Sequence, residues 1–210
     1  MPLYDKIREN PTITVYIWKI EESENDLAQG IELTPHCQTR LNGMKSEMHR
    51  RGFLSIRHLM AEAGYEDKDL FYDDAGKPHL HDGKYISITH SHQFTGIIIS
   101  DKDEVGIDIE KQREIITRIA HKFTPIEAYD HIKDINDLVR KFTIVWGCKE
   151  SLYKIYATIG LSFFNHIYIK DFEFSDKKIE GQITYKDNTS YYDLRFLEFE
   201  GFTCVYAVKM

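Results

Sequence analysis

Apolar positions alternate with glycine or acidic positions through residues 105–110, which read VGIDIE. A two-residue period is typical of a β-strand and sends alternate side chains to opposite faces. The stretch therefore predicts a short strand on which Asp108 and Glu110 point the same way.

A helical pattern runs through residues 137–158, where apolar residues return at three- and four-residue steps, and Asn136 is its predicted N-cap. Trp146, Glu150 and Lys154 are four residues apart, so they share one stripe of this helix. An aromatic ring, a carboxylate and an ammonium group therefore line one face.

Similar patterns predict the other elements. In the first half they indicate strands at 12–20, 84–89 and 94–99, and a helix at 46–63. In the second half they indicate a helix at 114–122, a further helix opened by a capping box at 124–127, and a meander of strands at 167–174, 179–186, 191–199 and 202–208. This order predicts an α+β fold in two halves that meet near residue 101.

Composition narrows the function classes. The chain has 210 residues, of which 42% are hydrophobic, enough for one large domain or two small ones. Its net charge of −7 argues against nonspecific nucleic-acid binding. No apolar run approaches the roughly 20 residues of a membrane helix, and the first residues lack a signal-peptide core. We expect a cytoplasmic protein with no nucleic-acid or membrane partner, and its three widely spaced cysteines predict reduced thiols.

The strand and the helix together suggest a chemistry. If the helix stripe faces the acidic edge of the strand, Asp108, Glu110 and Glu150 converge beside Lys154. Such a group suits a hard divalent cation that also binds phosphate oxygens. Simpler interpretations remain open, because an Asp-x-Glu pair is usually a solvated strand face, and Glu150 with Lys154 can form an exposed ion pair worth a few tenths of a kcal/mol.

A basic patch lies between residues 36 and 58 of this acidic chain. This stretch contains one acidic residue, Glu47, and five arginines and lysines: Arg40, Lys45, Arg50, Arg51 and Arg57. The cluster is a candidate anion site, although each arginine taken alone is more typical of a solvated helix face.

The sequence GIDIE at 106–110, followed by W-x-x-K-E-x-x-x-K at 146–154, resembles the signature pair of the 4′-phosphopantetheinyl transferase superfamily. Further matches follow the order and spacing of its larger, single-chain members, which activate synthetases of the surfactin type. They are RRGFL at 50–54, GKP at 76–78, ISITHS at 86–91 and RIAHKF at 118–123. The resemblance covers roughly residues 40 to 165.

The resemblance implies a pseudo-dimer of two similar α+β subdomains with coenzyme A bound between them. Residues 1–100 would form the subdomain that contacts the nucleotide, and residues 101–210 the one that carries the metal and the catalytic residues. The implied reaction transfers 4′-phosphopantetheine from coenzyme A to a serine of an apo acyl or peptidyl carrier protein, with Mg²⁺ as cofactor. We expect the chain to act as a monomer.

The resemblance also implies roles for residues of the first half. Arg50 and Arg51 would contact the adenosine 3′-phosphate of coenzyme A, and Lys77 would reach the same molecule. Thr89 and His90 would hold the nucleotide phosphate, although Thr89 stands where serine is usual.

In the second half, Asp108, Glu110 and Glu150 would bind Mg²⁺. Glu150 would act as the base, directly or through a metal-bound water. Lys154 would contact the diphosphate of coenzyme A and stabilise its developing charge, and with Asp108 these two residues form the expected catalytic set. One departure lies at 158–161, which read TIGL where close relatives carry a glycine-lysine-glycine stretch. Two other functions stay open: a noncatalytic carrier-protein or nucleotide-binding module, and a metal-dependent enzyme acting on a different diphosphate ester.

Overall fold

The computed structural model describes residues 3–210 and divides the chain into two compact units, one ending at Lys102 and the other beginning at Asp103. Each unit has its own β-sheet and its own hydrophobic core. The fold class is therefore mixed α+β, as the element order predicts.

The first unit combines strands and helices of very different lengths. Its strands are β1 (Leu3–Asn10), β2 (Ile13–Lys19), β3 (Leu70–Tyr72), β4 (Pro78–Leu80), β5 (Tyr85–Ser91) and β6 (Phe94–Ser100). Its helices are α1 (Glu24–Ala28), α2 (Pro35–Gly43) and α3 (Glu47–Glu62).

Four of these strands form an antiparallel sheet in the order β1-β2-β6-β5, against which α3 packs. On α3 the apolar residues Phe53, Ile56 and Met60 recur at helical spacing, and all three are buried. The core of the unit is the layer between this stripe and the sheet. The strands β3 and β4 pair in a separate hairpin.

The second unit has one larger sheet. Its strands are β7 (Val105–Lys111), β8 (Ile167–Ile169), β9 (Ile179–Tyr185), β10 (Asn188–Phe199) and β11 (Phe202–Lys209). Its helices are α4 (Ile115–Ile119), α5 (Ile135–Tyr156) and α6 (Phe163–His166). Neighbouring strands pair antiparallel in the order β7-β11-β10-β9-β8, and α5 packs on β7 and β11.

Several predicted boundaries and caps are wrong. Asp134, not Asn136, caps α5, because its carboxylate accepts hydrogen bonds from the backbone N–H groups of residues 136 and 137. No capping box opens at 124–127, where only a short 3₁₀ turn, Ile126–Tyr129, follows. The strand predicted at 167–174 ends at Ile169.

The pattern also missed β1, the β3–β4 hairpin and the helices α1, α2 and α6. The strand β1 illustrates the reason: its residues LYDKIREN are exposed or half-buried throughout, because it is a polar edge strand with no apolar face to detect.

Two other expectations can be compared with the structure. No helix within residues 3–210 is both long enough and apolar enough to cross a membrane. Cys37, Cys148 and Cys204 are buried free thiols, as predicted.

Candidate active site

The glycine at the start of β7 sets how closely α5 approaches this strand. A Cβ added to Gly106 would lie 2.0 Å from the backbone oxygen of Ser151 on α5, so no other residue fits there without moving the helix. Asp108 and Glu110 share the strand face of Gly106, since side chains alternate. Both carboxylates are therefore carried on the face that α5 covers.

A second glycine lies on the helix side of the same contact. A Cβ on Gly147 would meet the side chain of Val205 on β11 at 2.8 Å and would lie 3.7 Å from Oδ2 of Asp108. The Ser151 hydroxyl donates to the carbonyl of Val205 at 3.1 Å. These contacts fix α5 over the β7–β11 pair, with Asp108 only 5% exposed beneath it.

Lys154 connects the helix to the strand. Its ammonium donates to Oδ1 of Asp108 at 2.8 Å and to the carbonyl of Ile107 at 2.7 Å. The alternative of an exposed ion pair with Glu150, one turn earlier on α5, is wrong, because the partner of Lys154 is the buried aspartate of β7. The helix stripe and the acidic face of the strand therefore meet at Lys154 and Asp108.

The same neighbouring charges affect the pKa values of both glutamates, Glu110 and Glu150. Burial, and then the negative charge of Asp108, raises the pKa of Glu110 to about 6. Burial and the charge of Asp108 also raise the pKa of Glu150, to about 7, while Lys154 acts in the opposite direction. We call Asp108, Glu110 and Glu150 the acidic cluster. Its members repel one another and lie beside one ammonium group, so they favour a further positive charge or protons.

The acidic cluster offers suitable ligand chemistry for a divalent cation. Mg²⁺ prefers carboxylate oxygens, and one or two carboxylates suffice when substrate phosphates complete its shell. Within residues 3–210, however, no three histidine, cysteine, aspartate or glutamate side chains are arranged as a metal site. The donor types therefore fit Mg²⁺, and metal binding by the cluster stays a prediction.

An aromatic group borders the acidic cluster. The indole N–H of Trp146 donates a long hydrogen bond of 3.4 Å to Oε1 of Glu110. The ring of Trp146 packs against Phe123 at a centroid distance of 5.1 Å and against Phe163 at 5.3 Å. Phe163 also packs against Tyr153, at 5.5 Å. The stripe residue Trp146 is thus held between rings from two other segments.

Lys149, the first lysine of the W-x-x-K-E-x-x-x-K motif, received no predicted role from the sequence. Its side chain is buried, and its ammonium donates to the carbonyls of Phe163 and Ile167 at 2.7 and 2.5 Å. Burial lowers the pKa of this ammonium to about 8. A signal was present, because Lys149 lies in the apolar stripe of α5, between Val145 and Leu152, where a lysine must find buried acceptors.

In the first unit the predicted arginines differ in their surroundings. Arg50 is already engaged: its Nε lies 2.8 Å from a carboxylate oxygen of Glu24, and its Nη1 donates to the carbonyls of Met44 and Lys45. Arg51 is half-buried, and its Nε has no hydrogen-bond partner among residues 3–210. Of Arg50 and Arg51, Arg51 is therefore the one less engaged by other groups of the protein.

The remaining predicted contacts lie on the β3–β4 hairpin and on β5. Lys77 follows the hairpin turn, where its backbone N–H donates to Asp73 at 2.9 Å. On β5, Thr89 is buried and His90 is exposed, since neighbouring residues of a strand face opposite sides. The ring of His90 lies 6.0 Å from that of His49 on α3. Their roles in binding coenzyme A stay predictions.

The comparison with known protein families agrees with this description of the second unit. Residues 104–207, which include β7 and α5, match the model of the 4′-phosphopantetheinyl transferase superfamily. No match to the chain is found among curated proteins. The superfamily implies a transferase of the phosphopantetheinyl type, which uses coenzyme A and acts on carrier proteins. Residues 104–207 are therefore similar to domains of the 4′-phosphopantetheinyl transferase superfamily.

Proposed function

We propose that the protein transfers 4′-phosphopantetheine from coenzyme A to a serine of an apo acyl or peptidyl carrier protein in a Mg²⁺-dependent reaction. The observation that carries this proposal is the acidic cluster on β7 and α5, with Lys154 bonded to Asp108, inside the domain that matches the superfamily. This is the holo-acyl-carrier-protein synthase reaction of a single-chain enzyme.

The acidic cluster would hold the cation. Asp108, Glu110 and Glu150 carry carboxylates of the type that Mg²⁺ prefers. Burial and then the charge of Asp108 raise the pKa values of the two glutamates, and a cation would offset that charge. When bound, Mg²⁺ would withdraw negative charge from the diphosphate of coenzyme A and would orient it.

Glu150 would act as the general base. A carboxylate is a suitable general base for a hydroxyl proton. Glu150 accepts the proton of the serine hydroxyl as the serine oxygen bonds to the phosphorus next to the pantetheine. The bond between that phosphorus and the bridging oxygen breaks, and adenosine 3′,5′-bisphosphate leaves. No covalent enzyme intermediate is required.

Lys154 would stabilise the charge that develops on the diphosphate. It is half-buried, so its ammonium is partly shielded from water and interacts more strongly than an exposed one. Its bond to Asp108 holds the ammonium beside the acidic cluster. In the first unit we assign the 3′-phosphate of coenzyme A to Arg51, because Glu24 already occupies Arg50.

The direct test is intact-mass spectrometry of apo acyl and peptidyl carrier proteins incubated with the protein, coenzyme A and Mg²⁺. We expect a mass gain of one phosphopantetheine group on a serine, lost when coenzyme A is omitted or EDTA is added. Transfer that is indifferent to EDTA would remove the metal from the proposal. Coenzyme A binding without a mass gain on any carrier protein would favour the noncatalytic module.

A further inference from the structure

The buried lysine Lys149 has no part in the proposed chemistry. Only 3% of its surface is exposed, and in the described part of the chain no carboxylate is paired with it. An ammonium group in such a place is costly unless its hydrogen bonds are satisfied. The two carbonyls that satisfy Lys149 belong to Phe163 and Ile167, so this lysine joins α5 to both ends of α6.

The helix α6, to which Lys149 bonds, places the ring of Phe163 near the acidic cluster. Phe163 packs against Trp146 and Tyr153, which lie one turn before and nearly one turn after Glu150 on α5. Trp146 in turn donates to Glu110. A continuous set of contacts therefore runs from the Lys149 ammonium through Phe163 and Trp146 to the carboxylate of Glu110.

We propose that Lys149 is a positioning residue: by holding the carbonyl of Phe163 it seats that ring against Trp146 and so directs the indole N–H toward Glu110. The structural part of this inference is independent of the reaction. Its kinetic consequence rests on the proposed function, since Glu110 matters for turnover only if the acidic cluster binds the metal.

The indole N–H of Trp146 gives a direct readout. The chain contains two tryptophans, and Trp18 lies in the first unit, so a ¹⁵N-labelled protein gives two indole resonances with Trp18 as an internal reference. Lys149→Met keeps the length of the side chain and removes its donors. We expect it to shift the Trp146 resonance and to leave that of Trp18 unchanged.

The matched control is Lys141→Met. Lys141 lies on the same helix and is buried to 4% exposure, but its ammonium bonds to Asp171 and to the carbonyl of Phe172. This variant should leave the Trp146 resonance in place. An unshifted resonance in Lys149→Met, or an equal shift in both variants, would overturn the positioning role.

A second variant covers the case in which Lys149→Met does not fold. Phe163→Leu keeps the lysine and its backbone acceptors and removes only the ring that contacts Trp146. It should shift the Trp146 resonance in the same way, and an unchanged resonance would overturn the proposal.

Kinetics provide the second readout. Changes to residues that orient metal ligands lower activity or metal affinity by about 10- to 100-fold, so we expect at least about a ten-fold loss of kcat in Lys149→Met and a smaller change in the KM for coenzyme A. A wild-type protein without transferase activity would refute the proposed function and leave the resonance test standing. Normal turnover in Lys149→Met would refute the kinetic part of the inference alone.

Discussion

Two buried groups of charges, one in each unit, are built in opposite ways. In the first unit Asp67 is enclosed by donors: Arg57 Nε bonds to its Oδ1 at 2.8 Å, and the backbone N–H and hydroxyl of Thr34 bond to its Oδ2 at 2.8 and 3.0 Å. In the second unit the acidic cluster has three carboxylates and one nearby ammonium group, that of Lys154, which bonds to Asp108 and acts on the two glutamates only through its charge.

The pKa values of the buried carboxyl groups shift in opposite directions in the two units. Burial raises the pKa of Asp67, but the hydrogen bonds from Thr34 and Arg57 outweigh burial and bring the pKa below its ordinary value. For Glu110 and Glu150, burial and the charge of Asp108 act together and raise the pKa. A charge that the protein itself satisfies is a structural element, whereas charges left in excess in a folded domain mark a place where a ligand completes the balance.

The largest effect on stability is expected at the buried pair of Arg57 and Asp67. Arg57→Met leaves Asp67 buried without its guanidinium, and breaking one partner of a buried pair costs about 3–5 kcal/mol of unfolding free energy. Urea unfolding measures this loss. The control is Lys170→Met, whose partner Glu180 is 60% exposed, and it should cost less than about 1 kcal/mol. Equal, small losses in both variants would make the Arg57–Asp67 pair energetically unimportant.

The same pair makes stability sensitive to acid. The folded pKa of Asp67 lies below its unfolded value, so its contribution is complete above the unfolded pKa of about 4 and is lost as the pH falls through the folded pKa. The Tm difference between wild type and Asp67→Asn should therefore shrink as the pH is lowered below about 5. A difference that is independent of pH would show that the carboxylate charge is not what stabilises the unit.

Beside the acidic cluster, a large kinetic effect is expected at Lys154. If this ammonium stabilises the reacting diphosphate, Lys154→Ala should lower kcat by about 10²-fold or more, with a smaller effect on coenzyme A affinity. Lys154→Arg should recover only part of the rate, because a planar guanidinium does not place its charge where a compact ammonium does. An alanine variant with near-normal kcat, measured at steady state, would leave Lys154 with only its structural bond to Asp108.

The smallest effect is expected at Arg51, and it distinguishes this arginine from its neighbour Arg50. Arg51→Ala should weaken coenzyme A binding by about ten-fold, and binding of a dephospho analogue without the 3′-phosphate should scarcely change. Arg50→Ala is the control, since its guanidinium bonds to Glu24, and the loss there should fall on stability and not on discrimination between the two ligands. Calorimetric titration measures both, and equal losses for the two ligands in Arg51→Ala would give Arg51 a structural role.

The sequence could predict the acidic cluster because its residues follow simple periods. The two-residue spacing of Asp108 and Glu110 and the four-residue spacing from Trp146 to Lys154 determine which face each side chain occupies once strand and helix form. The glycines Gly106 and Gly147 then allow the two faces to meet.

The choice of partners could not be predicted, because it depends on contacts between distant segments. Lys154 pairs with Asp108, 46 residues earlier, and Arg50 pairs with Glu24, 26 residues earlier, and no local pattern indicates either. The helix cap at Asp134 was missed for a local reason, since Asn136 is an equally good capping residue two positions later. The similarity of the two units as a pseudo-dimer stays a prediction.

The most direct test of the contrast between the two groups of charges is the variant Glu150→Gln. Its phosphopantetheine transfer to a carrier protein and its Tm are both measured at pH 8. At this pH Glu150, with its pKa of about 7, is ionised beside Asp108, so the substitution removes an unfavourable charge while keeping the shape of the side chain. We predict that phosphopantetheine transfer is abolished in the intact-mass assay and that Tm is equal to or higher than that of wild type. Transfer at the wild-type rate, or a loss of stability comparable to that of Arg57→Met, would contradict the account.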